Sequence, residues 1–126
     1  MSSPNPKTFP FADKELTLQI LNLIELSKNH NQLKKGANET VKIINKGYAE
    51  LAIIAADSDP IEIVLHLPLL CEDKNIPYVF INNKHTIGKA CGISRSVIAC
   101  CISTNINSSL NEQLKNIKNK IEKFLY

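Results

Sequence analysis

Three polar side chains of different chemistry fall within one turn of a predicted helix. Asn38 and Lys42 are four residues apart, and Glu39 and Lys42 are three apart, so a helix places all three on one side. An amide both donates and accepts hydrogen bonds, a carboxylate accepts them from amino or imino groups, and an ammonium reaches base acceptors or phosphate. Together, the three groups could read the edges of nucleic-acid bases.

Gly36 precedes this turn and would let the backbone of a partner approach closely. The first turn of the helix also offers N–H groups that have no acceptor within the helix. The same pattern is typical of an ordinary exposed surface, on which Glu39 and Lys42 form an ion pair and Asn38 is a cap or a plain surface residue. Periodicity alone leaves both interpretations open.

A second group of residues could serve an enzyme. Asp57 and Asp59 follow an apolar run and, with Lys84, could bind magnesium or a nucleotide. However, Asp59-Pro60 followed by Glu62 is typical of a helix start, and no phosphate-loop, dinucleotide or nucleophile-elbow motif is present. The four cysteines and three histidines lack zinc-ligand spacing. We therefore expect a protein without catalytic activity, metal, cofactor or small-molecule substrate.

The chain has 126 residues, which corresponds to one ordinary domain. Its 44% hydrophobic and 21% charged residues fit neither a disordered chain nor a membrane protein, and no run approaches the roughly 20 apolar residues of a membrane span. Fifteen basic minus twelve acidic residues give a net charge of +3, which permits a nucleic-acid partner without requiring one. The first residues lack a secretory signal, so we expect a cytoplasmic or nuclear protein.

Helical periodicity alternates with short apolar runs along the chain, which predicts a single-domain, three-layer α/β/α sandwich with a small, mostly parallel, mixed sheet. We expect a disordered head over residues 1–12 and the domain over 13–126. The expected elements are a helix capped by Asp13, an edge strand at 33–35, a helix ending at Gly47, a strand at 51–56, a helix from Asp59 that Pro68 kinks or breaks, a strand at 78–81, a short helix at 85–91, a strand at 97–102, and a last helix opened by a capping box of Ser109 and Glu112.

The cysteines are expected to be buried thiols in a reducing compartment rather than redox or zinc-binding groups. Cys100 and Cys101 are adjacent, so a strand would direct them to opposite faces of the sheet. Cys71 and Cys91 complete the set.

Three blocks of sequence resemble the kink-turn RNA-binding superfamily named for ribosomal protein L7Ae. They are residues 35–40 (KGANET), 65–80 (LHLPLLCEDKNIPYVF) and 88–95 (GKACGISR), and the likeness extends from about Asn5 to the C-terminus. Within the superfamily, the resemblance is to the eukaryotic members that U4 small nuclear RNPs and box C/D small nucleolar RNPs share. Gly-Ala-Asn-Glu marks only the wider superfamily, whereas the middle block is long and specific.

The resemblance implies a role for each site residue. Gly36, Asn38, Glu39 and Lys42 would read the tandem sheared G·A pairs of a kink-turn, with Lys35 beside the RNA backbone. A flipped-out nucleotide, typically uridine, would occupy a pocket, and a loop would lie against the extruded base. The pocket positions are Asp59, Ile63, Lys84 and Ile98, and the loop residue is Arg95.

Two positions depart from the pattern of the superfamily. Asp59 replaces a glutamate and is one methylene shorter, so a contact to the extruded base would be looser or bridged by water. Ser96 replaces the proline of a Ser-Arg-Pro sequence, which frees a φ angle and leaves the Arg95 loop less preorganised. Neither change touches Asn38, Glu39 or Lys42.

The resemblance also implies partners and a location. The RNA partners would be the U4 snRNA 5′ stem-loop and box C/D snoRNAs, and the protein partners would be Nop-domain proteins that recognise the kinked RNA. The protein would then reside in the nucleus and nucleolus, have no membrane partner, and nucleate particles for splicing and for rRNA processing and 2′-O-methylation. The alternatives are a ribosomal or H/ACA-type paralogue, a protein-only adaptor, and a small-ligand-binding α/β enzyme.

Overall fold

The computed structural model describes residues 14–57, 62–104 and 109–125, apart from the side chains of 62–65 and 123–125. Five helices and four strands alternate in this part of the chain. The helices are α1 (Lys14–Asn29), α2 (Ala37–Asn45), α3 (Glu62–Asp73), α4 (Lys84–Ala90) and α5 (Asn111–Leu125). The strands are β1 (Leu33–Lys35), β2 (Ala49–Ala55), β3 (Tyr78–Ile81) and β4 (Ala99–Ser103).

The strands form one mixed sheet in the order β1-β4-β2-β3. β1, β2 and β3 point in the same direction, but β4 lies between β1 and β2 and runs against both. Only β2 and β3 form a parallel pair. The predicted mixed sheet is therefore confirmed, and the expectation that it would be mostly parallel holds for strand direction but not for strand pairing.

The path of the chain after α4 explains why β4 is reversed. The helix ends near Gly92, and the segment 93–98 returns beside the first residue of the helix, where the Val97 N–H donates to the Lys84 carbonyl at 3.2 Å. The chain therefore re-enters the sheet from the same edge at which β3 leaves it. A strand that starts there must run antiparallel to β2.

The sheet separates two apolar clusters, which confirms the three predicted layers. On one face, α1, α4 and α5 pack residues such as Ile20, Ile87 and Ile121 against the sheet. On the other face, α2 and α3 contribute Ile44 and Leu67. On each face, buried apolar side chains of the helices pack against those of the sheet, as expected for a sheet whose two faces are both covered.

The four cysteines are free and buried, as predicted. Cys100 lies in the cluster under α1, α4 and α5, together with Cys91. Cys101 lies in the opposite cluster with Cys71. The adjacent pair therefore does point to the two faces of the sheet, because successive side chains of a strand alternate.

Three local expectations have different outcomes. Gly47 follows the end of α2, where its N–H donates to Ile44 and the next N–H donates to Ile43, the bonding pattern of a Schellman motif. The predicted break at Pro68 is wrong, because α3 continues through it and buried Leu67 anchors the adjoining turn in the core, whereas a kink at Pro68 stays a prediction. The Asp13 cap and the head over 1–12 lie outside the described residues.

The predicted capping box of Ser109 and Glu112 is wrong. It requires the helix to begin directly after Ser109, whereas α5 begins at Asn111. The first backbone bond runs from the Leu114 N–H to the Leu110 carbonyl, and the Ser109 hydroxyl is 3.1 Å from Nε2 of His30. Ser109 therefore joins the start of α5 to the end of α1 instead of capping its own helix.

Candidate nucleic-acid interface

Four chain segments meet at one edge of the sheet, here called the carboxyl edge. β1 ends there at Lys35, β2 at Ala55 and β3 at Ile81, and β4 starts there at Ala99. The register places Lys35 opposite Cys100, and Ala55 beside Ile81. The start of α2, the segment after β2, the start of α4 and the loop before β4 therefore all lie at this edge.

Backbone hydrogen bonds join these segments. The Gly36 N–H donates to the Ala99 carbonyl at 2.8 Å, and the Ala55 N–H donates to the Ile98 carbonyl at 2.8 Å. The Ala56 N–H donates to the Ile81 carbonyl at 2.8 Å. Such bonds hold the connecting segments to the ordered sheet, so side chains that they carry have fixed relative positions.

Asn38, Glu39 and Lys42 are all exposed at the start of α2. Within the described part of the chain, none of the three side chains makes a hydrogen bond or ion pair with another residue. The interpretation of Glu39 and Lys42 as an ion pair is therefore wrong, and Asn38 is not a cap. The donors and acceptors of all three groups face solvent.

The backbone at this helix tip is equally accessible. Gly36 is the N-cap residue, and the first helical bond runs from the Thr40 N–H to its carbonyl at 3.0 Å. Among the described residues, no side chain accepts a hydrogen bond from the N–H groups of residues 37–39. Gly36 has φ 97° and ψ 146°, a region that L side chains rarely adopt, and no atom of a described residue beyond its chain neighbours lies within 4 Å of a Cβ built on it. A partner can thus reach the backbone here.

The opposite side of α2 holds the tip in place. Thr40 and Ile44 are buried, and Val41 and Ile43 pack partly buried against the same cluster. The helix is thus fixed on the sheet by its apolar side. The exposed side chains at the tip therefore stand on a helix whose backbone is held in place.

The start of α4 is built differently. The side chain of Asn83 accepts from the N–H groups of His85 at 2.8 Å and of Thr86 at 3.3 Å. Oδ1 of Asp57 accepts from the Lys84 N–H at 2.9 Å. Asp57 thus supports the helix start that carries Lys84, rather than standing free as a metal ligand.

Arg95 and Ile98 lie in the loop before β4. Arg95 is exposed, and Ile98 is partly buried against the cluster under α2 and α3. Together with half-buried Lys84 at the start of α4, they form the part of the carboxyl edge that lies at α4 and this loop. Lys35 is exposed at the end of β1, next to Gly36.

The structure thus brings eight of the ten predicted site residues to one edge: Lys35, Gly36, Asn38, Glu39, Lys42, Lys84, Arg95 and Ile98. Asp59 lies outside the described residues, as does its predicted capping role. Ile63 lies in α3, but its side chain is not among the described atoms. Among the residues that are described, no group of three or more His, Cys, Asp or Glu side chains could hold a metal ion.

Sequence reasoning missed Asn83 as the cap of α4. An asparagine directly before a helical stretch is itself a capping signal, so it could have been found. It also missed the close approach between Gly88 and the loop: a Cβ on Gly88 would lie 2.0 Å from the carbonyl oxygen of Arg95. That approach depends on how the chain returns to the sheet, which local spacing does not encode.

None of the described helices is long and apolar enough to cross a membrane.

Comparison with known proteins agrees with this geometry. A 13 kDa ribonucleoprotein-associated protein of Debaryomyces hansenii is 58% identical over 125 residues, covering 99% of each chain. An NHP2-like protein 1 homolog of Drosophila melanogaster is 53% identical over 121 residues, covering 96% of this chain and 95% of the relative. The solved structure of a Giardia lamblia 15.5kD RNA binding protein superposes with a TM-score of 0.89 at 47% identity, covering 96% of this chain and 99% of that one.

The model of the Ribosomal protein L7Ae/L30e/S12e/Gadd45 family matches residues 19–123. This match spans all four strands and the central part of every layer described above. Sequence identity, coverage and fold thus agree with the resemblance found in the three sequence blocks. The chain belongs to the ribosomal protein L7Ae/L30e/S12e/Gadd45 family.

Proposed function

We propose that this protein is a non-catalytic RNA-binding protein that recognises kink-turns and stabilises their bent form. The observation that carries the proposal is the start of α2, where an exposed amide, carboxylate and ammonium, none of them paired with a described residue, stand on a fixed helix. The names of its relatives, which describe ribonucleoprotein-associated and RNA-binding proteins, support an RNA partner.

The chemistry of Asn38, Glu39 and Lys42 suits sheared G·A pairs. Such pairs leave the Watson–Crick edge of guanine unpaired, so its imino and amino donors and its O6 acceptor are available. Glu39 can accept from the donors, and Asn38 and Lys42 can serve O6 or N7. Because RNA sequence is read mainly where bases are unpaired or splayed, this set of side chains favours an irregular element over a regular duplex.

The backbone of the same helix tip suits phosphate. The N–H groups of residues 37–39 donate to no described side chain and carry the positive end of the helix dipole. Gly36 leaves room for a close approach, and exposed Lys35 adds a positive charge beside it. A sugar–phosphate backbone can thus lie across the tip while bases meet the side chains.

We assign the extruded nucleotide to the other side of the carboxyl edge. Lys84, Arg95 and Ile98 offer two cations and an apolar side chain there. Asp59 and Ile63 are the further residues assigned to this pocket. Stacking on an apolar or guanidinium surface, with charge beside the phosphate, is the usual way in which a splayed base is held.

The biological RNAs in this proposal are the U4 snRNA 5′ stem-loop and box C/D snoRNAs. Binding would increase the population of the kinked conformer, which Nop-domain proteins then recognise. The protein would thereby nucleate assembly of particles for splicing and rRNA processing, in the nucleus and nucleolus. The 2′-O-methyltransferase activity would belong to another subunit.

A pair of matched RNAs tests the proposal. The protein is titrated against a kink-turn RNA and against the same RNA with its G·A pairs replaced by Watson–Crick pairs, at one fixed salt concentration because phosphate attraction depends on salt. We expect the loss of the G·A pairs to weaken binding by a factor of about 100 or more, as expected when specific contacts reduce to non-specific ones.

Equal affinity for the two RNAs would refute kink-turn recognition. Complex formation with Nop-domain proteins that survives nuclease treatment and needs no kink-turn would instead support a protein-only adaptor. Tight binding of kink-turns from ribosomal or H/ACA RNAs, with weak binding of U4 and box C/D RNAs, would indicate one of the paralogous functions.

A further inference from the structure

Gly88 lies unusually close to the loop that carries Arg95. A Cβ built on Gly88 would lie 2.0 Å from the Arg95 carbonyl oxygen, 3.1 Å from its carbonyl carbon and 3.3 Å from Cα of Ser96. All three atoms belong to backbone and cannot rotate away as a side chain could. The backbone of the loop therefore packs directly on the backbone of α4 at the one position of that helix without a side chain.

Two hydrogen bonds hold the loop on either side of this contact. The Ile93 N–H donates to the Gly88 carbonyl at 3.1 Å, and the Val97 N–H donates to the Lys84 carbonyl at 3.2 Å. Lys84 and Gly88 are one helical turn apart and share one face of α4. The loop from 93 to 97 is thus attached to α4 at both ends and pressed against it in the middle.

We propose that Gly88 is a positioning residue for RNA binding, because its missing side chain lets the loop settle on α4 and so fixes where Arg95 stands. This inference rests on the proposed function, in which Arg95 contacts the extruded nucleotide. Gly88 is buried and acts only through the loop.

The contacts between the loop and α4 also compensate for the serine at position 96, where the superfamily usually has a proline. A proline would have restricted one φ angle of the loop. Here, hydrogen bonds to α4 and the backbone contact at Gly88 restrict the loop from outside instead. Exposed Arg95 makes no ion pair or hydrogen bond with any described residue, so its position depends on the backbone that carries it.

The test is a double-mutant cycle on kink-turn RNA affinity with wild type, Gly88→Ala, Arg95→Ala and the double variant. In an ordinary helix, glycine to alanine adds stability, so a lower melting temperature for Gly88→Ala would itself report the clash. We expect each single variant to bind on the order of tenfold more weakly, as for loss of a charge-assisted contact. We expect the double variant to bind within about twofold of Arg95→Ala, because both changes remove the same contact.

Ile121→Val is the matched control for general loss of stability. Ile121 lies on α5 and is fully buried in the apolar cluster that α1, α4 and α5 form with the sheet. The substitution should lower stability without changing RNA affinity. Wild-type affinity for a folded Gly88→Ala, or fold-losses that multiply in the double variant, would overturn the inference.

If Gly88→Ala does not fold, the RNA affinity of Ser96→Gly tests the inference instead. Ser96 is exposed, and a glycine there loosens the loop without touching α4. Affinity within about twofold of wild type supports positioning from α4, and a loss as large as that of Arg95→Ala overturns it. These outcomes are separate from the proposed function, which fails only if wild type does not discriminate between the two matched RNAs.

Discussion

At the scale of single residues, exposure and pairing decide what Asn38, Glu39 and Lys42 can do. Spacing alone also allows an ion pair between Glu39 and Lys42, in which both charges would already be satisfied. In the structure, the two side chains are exposed, and neither is paired with another described residue. Within the described part of the chain, no hydrogen bond or ion pair of Glu39 or Lys42 has to be broken before the proposed contact with RNA.

Asn38→Ala and Glu39→Ala are each expected to weaken kink-turn binding by about 1–3 kcal/mol, the cost of losing one specific base contact. Both residues are exposed, so the free energy of unfolding of each variant should stay within about 0.5 kcal/mol of the wild-type value. Binding is measured by fluorescence anisotropy and stability by denaturant unfolding.

Asn45→Ala and Glu25→Ala are the matched controls, since they remove the same groups from exposed positions away from the helix tip. Both should bind like wild type. Unchanged affinity for Asn38→Ala and Glu39→Ala would remove this helix tip from the binding mode.

Residues also show which details a sequence does not encode. The alternation of polar and apolar positions in α2 was enough to predict which side of the helix faces solvent, because helical periodicity is local. The contact between Gly88 and the Arg95 carbonyl joins two segments that pack only after the chain has turned back. Asp59 and Ile63 stay predictions, because the described atoms do not include their side chains.

At the scale of elements, an ion pair attaches α5 to the sheet. Nζ of Lys118 donates to a carboxylate oxygen of Glu50 in β2. Partial burial alone would raise the pKa of Glu50, but the hydrogen bond and charge of Lys118, with a further hydrogen bond from Thr104, outweigh it and lower that pKa. A carboxyl group with a lowered pKa in the folded state adds stability above its unfolded pKa, and this stability is lost as pH falls through the folded value.

Lys118→Met is therefore expected to lower the unfolding free energy at pH 7 by less than about 1 kcal/mol, because both side chains keep some solvent contact. The difference from wild type should shrink as the pH falls below 4.5, the ordinary pKa of Glu50, because the carboxylate becomes protonated in both proteins. Urea unfolding at pH 7 and pH 3 measures both values.

Lys115→Met serves as the control, since Lys115 is exposed on the same helix and makes no ion pair with a described residue. A difference between Lys118→Met and wild type that persists unchanged at pH 3 would show that Lys118 stabilises the protein by packing alone.

Elements were predicted more reliably than their pairing. The continuous apolar runs around Ile53 and Val79 indicated buried strands, and both runs are strands in the structure. The reversed direction of β4 could not be predicted from its own residues. Cys100 and Ile102 belong to a continuous buried apolar run, and such a run gives no information on strand direction. It follows from the return of the chain beside Lys84.

At the scale of the whole molecule, each face of the sheet contains buried thiols. Burial raises the pKa of Cys71 and of Cys101 to about 12, although a hydrogen bond with Thr40 acts in the opposite direction at Cys101. On the other face, the thiol of Cys100 donates a hydrogen bond to Cys91, which raises the pKa of Cys100 and lowers that of Cys91. Thiols with raised pKa values have little thiolate at neutral pH and react slowly.

Iodoacetamide should therefore leave Cys71, Cys100 and Cys101 unmodified in the native protein at pH 8, and all three should react in denaturant. Because the two faces share one sheet, the three thiols should become reactive at a common denaturant concentration. Peptide mass spectrometry after timed labelling measures each one.

Asn22→Cys supplies the positive control, since Asn22 is exposed on α1 and a thiol there should react at once. Reaction of Cys71 and Cys101 at a lower denaturant concentration than Cys100 would show that the layer of α2 and α3 opens independently.

The starts of α2 and α4 at the carboxyl edge are not equivalent, because the first N–H groups of α4 already donate to the side chains of Asn83 and Asp57. Of these two helix starts, α2 is the one whose first N–H groups donate to no described side chain. Between these two, a phosphate group of the proposed RNA can be bound by backbone N–H groups at α2, beside β1, whereas α4 offers its side chains. In the proposed complex, this difference between the two helix starts fixes the orientation of the RNA backbone as well as its position.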